Sequence, residues 1–442
     1  IVIGAGHNGL VCSALLAKAG KKVLVLEANE QVGGAAVTRE FAGGYSVSAC
    51  AHLLYQLQPK VRKELGLSPK LASDALQTVA LAENGEHVRY SGGDITGVPD
   101  ADVAAYRQFH RQMTRFADLL NTYLNTTPPR LGTGEFKDLA TLARLGFDLR
   151  RLGRDEMRTF LRLIGINIHD EVTERFESPL LRGAVSFDAV LGTHLGPRSP
   201  NTIMTYLYRL AAGHGRLAVP QGGMGSLAEE LAQAARTAGV TVRTNMAVKR
   251  IVVENGRVAG VETAGGERFD SLIAVSNADP KRTIMELVGT RYVETGFTRR
   301  IDNIRMRGDA AKLHLALDGL PAISGVAKTE FSDRLVSAPD EHYVERAFNP
   351  AKYGESSPEP VIEMTLPSFR DQSLAPTGKH VMSCVVQYVP YALEGGWTDA
   401  AKDAFTKTCI ETIGRYAPDL ESRVTASELL TPADIESEFH IT

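Results

Sequence analysis

The chain has 442 residues, with 49 Lys and Arg against 52 Asp and Glu, a net charge of −3, 41 Gly and only 4 Cys. At roughly 100–200 residues per domain that length supplies core for about two to four domains, and the charge balance excludes the basic surface by which nucleic acids are bound. Cys12, Cys50, Cys384 and Cys409 share no CxxC spacing, which excludes a disulfide scaffold, a zinc site and a dithiol redox centre and points to a reducing, cytoplasmic compartment.

No stretch reaches the roughly 18 apolar residues of a membrane span. The chain opens at Ile1, inside an apolar run and without a Met, so residues are expected to precede it and targeting is unreadable.

Residues 1–34, IVIGAGHNGLVCSALLAKAGKKVLVLEANEQVGG, parse as strand, Gly-rich turn, amphipathic helix, strand and loop, a βαβ unit. Gly4, Gly6 and Gly9 satisfy G-x-G-x-x-G: the first permits the tight turn, the second lets backbone approach a pyrophosphate, and the third packs helix on strand. The helix N-terminus then offers amides and a positive dipole end to the phosphates. Within the turn Asn8 is a candidate phosphate donor, and His7 is expected to tolerate the backbone geometry. Glu27, at the end of KVLVL and beside Ala28, is placed to accept hydrogen bonds from an adenosine ribose and would repel a 2′-phosphate, which favours FAD or NAD over NADP. The pair Gly33-Gly34 lets a second backbone segment reach the same pyrophosphate, an arrangement that resembles the flavin-binding amine oxidase and phytoene desaturase families and selects FAD.

Residues 100–214 read as helical, with apolar groups at i, i+3, i+4 and i+7 in AAYRQFHRQMTRFADLLNTYL, and form an insert. Six Arg from Arg144 to Arg162 interleave with Leu145, Phe147, Leu149, Leu152, Phe160 and Leu161. Such a stretch is either a face that lies on an anionic membrane, giving a membrane-peripheral protein, or a solvated face of the cap.

Beyond Val219 a helix is followed by short strands, with Asn255-Gly256 a type I′ hairpin signal between IVVE and RVAGVE. Gly223-x-Gly225-x-x-Ala228 offers a second dinucleotide fingerprint, with Arg243 where a 2′-phosphate would sit, but Pro220 interrupts its strand. Strands such as AKLHLALDGL and KHVMSCVVQYV and a helix around 399–416 then read as a second sheet. Alternation puts Lys312 and His314 on one face of their strand, and on the residues alone that face is the surface. The 11 His include no HExxH or HxH, so no metal is expected.

Four segments, GAGHNG with Glu27, the Gly33-Gly34 loop, PQGGMGSL at 220–227 and VKRI to SNADP at 248–280, together resemble an FAD-dependent oxidoreductase of the phytoene desaturase-like group within the flavin amine oxidase superfamily, and in it the subgroup named pyridine nucleotide-disulfide oxidoreductase domain-containing protein 2. The resemblance implies an α/β fold: a Rossmann-like FAD-binding domain from 1–95 and 215–290, interwoven with an α+β substrate domain from 96–214 and 291–442 that has a mixed sheet and a helical cap. It also implies a further Gly-rich segment against the flavin. No match follows residue 430, so truncation is expected. By resemblance Val248 bonds the adenine through its backbone, and Asn277-Ala278 passes beside the ribityl or pyrophosphate portion. Met224 and Ser226 border the substrate cavity, the segment Ser48–Leu54 with His52 approaches the isoalloxazine, and Lys312 reaches flavin N5 through a water. His52 reads equally as a satisfied core histidine.

The implied activity is dehydrogenation or oxidation, with hydride taken from a C–H bond of a lipophilic, isoprenoid-like substrate onto flavin N5 and electrons passed to oxygen or a quinone. An amine oxidase, a double-bond isomerase and a non-catalytic flavin-stabilised interaction protein use the same scaffold. Oligomeric state is not readable.

Overall fold

The structure is a computed structural model and describes residues 1–441. Strands Thr241–Arg243, Leu24–Leu26, Val2–Ile3 and Val275–Ser276 form, in that order, a parallel four-stranded sheet. Strand alternation sorts its side chains between two layers. Val2 and Val25 pack under the helices His7–Lys18 and Met224–Thr237 with Leu10, Ala14, Leu231 and Ala235. Ile3 and Leu26 face the opposite side, against Ile251 and Val261 of an antiparallel sheet built from Val248–Glu254, Arg257–Thr263 and Arg268–Asp270. Between the first two of these strands Asn255 and Gly256 both take positive φ, 49° and 74°, as the hairpin signal requires.

The larger sheet has eight strands in the order Val424–Leu430, Ala310–Leu317, His380–Gln387, Val361–Thr365, Arg334–Ser337, Thr78–Ala80, Val88–Ser91 and Asp94–Thr96. All neighbours are antiparallel except Arg334–Ser337 with Thr78–Ala80. Residues 78–96, most of which the sequence reading put with the FAD-binding segment, are thus hydrogen-bonded into the second sheet. One face of this sheet packs Leu313, Leu315, Met382 and Cys384 under the helix Asp399–Gly414. The other meets the loop at Ala49–Leu53 and the helical cap.

The cap comprises six helices from Asp100 to Leu210 around a core that includes Phe109, Phe116, Leu163, Val172, Ala184 and Leu207. The strand Leu217–Pro220 pairs antiparallel with Leu71–Leu76 in a sheet of two. The second Gly-rich stretch therefore opens no second parallel nucleotide fold. Arg243 is held by Glu267 at 3.0 Å and lies over Phe269.

Candidate active site

The first strand turns at Gly4, φ +91°, whose amide donates to the Leu26 carbonyl at 2.8 Å. A Cβ on Gly9 would collide with the Gly4 oxygen, and one on Gly6 would come within 2.7 Å of Asn277 Nδ2. Gly33 bridges to Gly6, its amide donating to the Ala5 carbonyl at 2.9 Å, and a Cβ on Gly34 would stand 3.4 Å from Gly6 Cα. Three backbone segments therefore converge on one point. There the helix His7–Lys18 begins without a side-chain cap and without an acidic residue in its first turn, leaving its leading amides and positive end for an anion.

Glu27 is buried, with Oε2 accepting from the Ala5 amide at 2.6 Å and Oε1 from the Asn29 amide at 2.9 Å. Each carboxylate oxygen keeps a second lone pair for a ribose hydroxyl. The glycine cradle, the uncapped helix and this carboxylate fit a dinucleotide. Ala28 follows Glu27 directly, and the Met246 amide donates to the Glu27 carbonyl at 2.7 Å, bringing the strand that starts at Val248 alongside. The Asn277 amide donates to the Ile3 carbonyl at 2.8 Å, and the Ala278 amide to Ser276 Oγ at 3.2 Å.

His7 and Asn8 are exposed on the rim of a cleft of about 320 Å³ that runs on to Leu53, Leu57, Met224 and Leu227. Its walls are largely apolar, as a site for a lipophilic ligand requires. Met224 is fixed there by its amide, which donates to Ser48 Oγ at 2.9 Å. Ser226 is not among the residues lining this cleft. Its hydroxyl donates to the Gly223 carbonyl at 2.8 Å, and the residue borders two open clefts on Gly222 instead.

Deeper in, the mixed sheet carries charge. In its ladder Lys312 is opposite Val385, which is opposite Glu363, so the two ionisable residues stand on the same face two strands apart. That face is covered, and Lys312 is 2% exposed. Lys312 Nζ lies 2.7 Å from His52 Nδ1, and His52 Nε2 lies 2.8 Å from Glu363 Oε1. Glu363 Oε2 accepts from Arg334 Nε. The Arg334 guanidinium also lies 2.7 Å from Asp188 Oδ1, an ion pair off the hydrogen-bonding axis, and Asp188 accepts from the Tyr90 hydroxyl at 3.1 Å. Arg209 adds a third, partly buried cation, 3.5 Å from Asp188 and 3.6 Å from Glu363.

Burial lowers the Lys312 ammonium to about 8, with Glu363 among the groups that oppose the shift. Burial and then the Lys312 charge push His52 down to about 4, so its ring is neutral. The tautomer follows from the partners: Nε2 carries the proton toward the carboxylate, and Nδ1 receives the ammonium. Burial opposes ionisation of Glu363, but Arg334 and the His52 hydrogen bond outweigh it and hold the carboxyl well below its usual range. Burial raises the Cys50 thiol to about 12, so it supplies no thiolate.

Among the described residues one group has metal-ligand spacing, His169, Glu341 and His342. Arg182 donates to Glu341 Oε2 at 3.0 Å, and Arg198 approaches His342 Nδ1 at 3.4 Å, so cations occupy two of its three members.

A model of the flavin containing amine oxidoreductases matches residues 9–420. The chain belongs to that family. This flavin amine oxidoreductase is an FAD-dependent oxidoreductase. It is 30% identical over 477 residues to pyridine nucleotide-disulfide oxidoreductase domain-containing protein 2 of Rattus norvegicus, covering 99% of this chain and 82% of that one. To a limonene dehydrogenase polypeptide of Castellaniella defragrans it is 25% identical over 477 residues, covering 100% and 81%. Its fold is similar to that of an oxidoreductase from Methanosarcina mazei, with a TM-score of 0.60 at 18% identity over 98% of this chain and 87% of that one.

The sequence reading of this flavin amine oxidoreductase named Lys312 and His52 but missed Glu363, Arg334, Asp188 and Arg209. A signal for two of them was present: Glu363 and Arg334 are the one charged residue each in the strand sequences VIEMT and RLVS, which are otherwise apolar but for a terminal Thr365 and Ser337.

Proposed function

We propose that the protein oxidises a C–H bond of a lipophilic, isoprenoid-like substrate and passes the electrons to oxygen or a quinone. FAD, when bound, supplies the two-electron acceptor. The glycine cradle, Glu27 and the segment Asn277-Ala278 are the residues assigned to hold it.

The observation that carries this reading is the buried chain Lys312–His52–Glu363, which keeps a cation in a water-poor site next to the loop Ala49–Leu53. A charge held there stabilises negative charge gathering beside it more strongly than one in water does. His52 anchors the ammonium through Nδ1 and takes no proton at neutral pH. Leu53, Leu57, Met224 and Leu227 orient an apolar substrate and exclude water from it. The relative named as a limonene dehydrogenase supports an isoprenoid hydrocarbon as the class.

Anaerobic titration of the FAD-loaded full-length protein with isoprenoid hydrocarbons and with amines tests the reading. Bleaching of the flavin band by the hydrocarbons is the expected result. Bleaching by amines alone assigns the protein to amine oxidation.

A further inference from the structure

The helix Phe136–Arg151 lies on the outside of the cap, and none of its residues is buried. Near 100° per residue, Phe136, Leu139 and Phe147 fall on one face. They are 83%, 51% and 62% exposed. Lys137, Arg144, Arg150 and Arg151 flank them and are exposed too. Both acids of the helix lie on the other, half-buried side with Leu142, Leu145 and Leu149. Asp138 accepts there from the Thr133 hydroxyl, and Asp148 from the Tyr123 hydroxyl, each at 2.8 Å. A cap helix that only had to stay in water would turn polar groups outward, whereas this one has a second apolar face edged by an excess of cations, of which Arg144 is paired with Asp148 at 3.7 Å.

Large apolar side chains gathered in the open mark an interaction surface. With arginine and lysine in excess around them, and the nearest carboxylates, Glu135 and Asp148, paired with Arg130 and Arg144, the surface they fit is the interface of an anionic bilayer, with the rings at the acyl boundary and the cations at the headgroups. The neighbouring helix Arg154–Leu163 adds exposed Arg154, Arg158 and Leu161, with Asp155 exposed in its first turn.

We propose that the outer face of the helix Phe136–Arg151 docks the protein on anionic lipid membranes. The location gives docking a use. The long helix Asp100–Leu124 that leads to this region ends beside Asn125, whose Nδ2 donates to Gln58 Oε1 at 3.3 Å, and Gln58 lines the apolar cleft. A lipophilic molecule dissolved in the bilayer would then enter by that cleft on its way to Met224 and the glycine cradle. That use rests on the proposed substrate class; the docking itself rests on the helix.

Flotation of the full-length FAD-loaded protein tests it, with vesicles of phosphatidylcholine alone and of phosphatidylcholine mixed with phosphatidylglycerol. The protein is expected to float with the mixed vesicles only, and to be released by salt as charge attraction is screened. The double variant Phe136→Ser/Phe147→Ser and the double variant Arg150→Gln/Arg151→Gln should each lower the bound fraction by about tenfold or more, with FAD content and melting temperature unchanged. No binding to the mixed vesicles at low salt overturns the proposal, as does binding that both variants retain, or a face occupied instead by a second copy of the chain in sedimentation without lipid. An amine substrate with flotation intact would remove the substrate reading and leave the docking standing.

Discussion

Lys312 and His52 are 260 residues apart in the chain and meet at 2.7 Å, Nζ to Nδ1, with the far side of the imidazole turned to Glu363. A neutral ring between an ammonium and a carboxylate is a fixed spacer, and Lys312 cannot swing out of the sheet face without breaking it.

Lys312→Met keeps the length and removes the charge. FAD content should be retained, while flavin reduction or reoxidation slows by roughly a hundred- to a thousandfold, the range for losing one preorganised electrostatic contact. In the parent the rate should fall as pH rises through about 8, where Lys312 loses its proton, and the variant should lack that limb. Stopped-flow half-reactions across pH 6 to 10 decide it; identical profiles would sink the role.

The same group has a stability signature of opposite direction. Its folded value of about 8 lies below its ordinary 10.5, so between these the unfolded chain holds a proton that the folded chain has released. Stability should therefore gain from Lys312 as pH rises through that window. Compared with Lys312→Met by denaturant titration at pH 7.5 and 10, the parent should gain relative stability at the higher pH. A constant difference would contradict a buried ammonium.

Glu363→Gln leaves Arg334 and Arg209 with only Asp188 for counter-charge, and replaces the acceptor that fixes the His52 tautomer. Removing one partner of a buried ion pair costs about 3–5 kcal/mol. A lowered melting temperature is expected, and in a double-mutant cycle with Arg334→Met the two losses should be less than additive. Strict additivity would mean that the pair does not act as a unit.

A side chain at Gly6 enters the space above the turn and strikes Asn277. Gly6→Val in the full-length protein should fold and lose most of its FAD, read from the absorbance of the purified protein. Full flavin occupancy would remove the cradle from the cofactor site.

NADPH should not reduce the flavin within a turnover. Cys50 is a free thiol held up at about 12, Arg243 is already engaged by Glu267, and Leu217–Pro220 belongs to an antiparallel pair. Rapid bleaching on mixing with NADPH would restore Arg243 as a phosphate ligand.

The nucleotide half was legible because its determinants are local: Gly4, Gly6, Gly9 and Glu27 lie within one βαβ unit, and Asn255-Gly256 specifies its own turn. The charged chain was not, because alternation says only that Lys312 and His314 share a face, and a lysine on a strand is ordinarily on the wet one. What buries Lys312 is the loop Ala49–Leu53 laid across the sheet, with the Ala49 carbonyl 3.2 Å from His314 Nε2. Glu363, Arg334 and Asp188 become a group only through strand order, which depends on pairings between distant segments. For the same reason a domain boundary at residue 95, just before the helical insert, looks natural in the sequence, although Thr78–Ala80 pairs with Arg334–Ser337.

That parallel pairing also sets a timetable. Thr78 and Arg334 are 256 residues apart, and at about 5–20 residues per second the ribosome needs roughly 13–50 s to make the partner after the first strand has emerged. Through that interval the three strands Thr78–Ala80, Val88–Ser91 and Asp94–Thr96 have an unpaired inner edge, the kind of edge through which chains stick to one another. The cap helices are synthesised next and pack against Val88 and Tyr90, so they shield the face of that small meander but not its edge. Yield of soluble protein should then depend on how fast translation proceeds between residues 97 and 333, a stretch that contributes no strand to the large sheet except Ala310–Leu317.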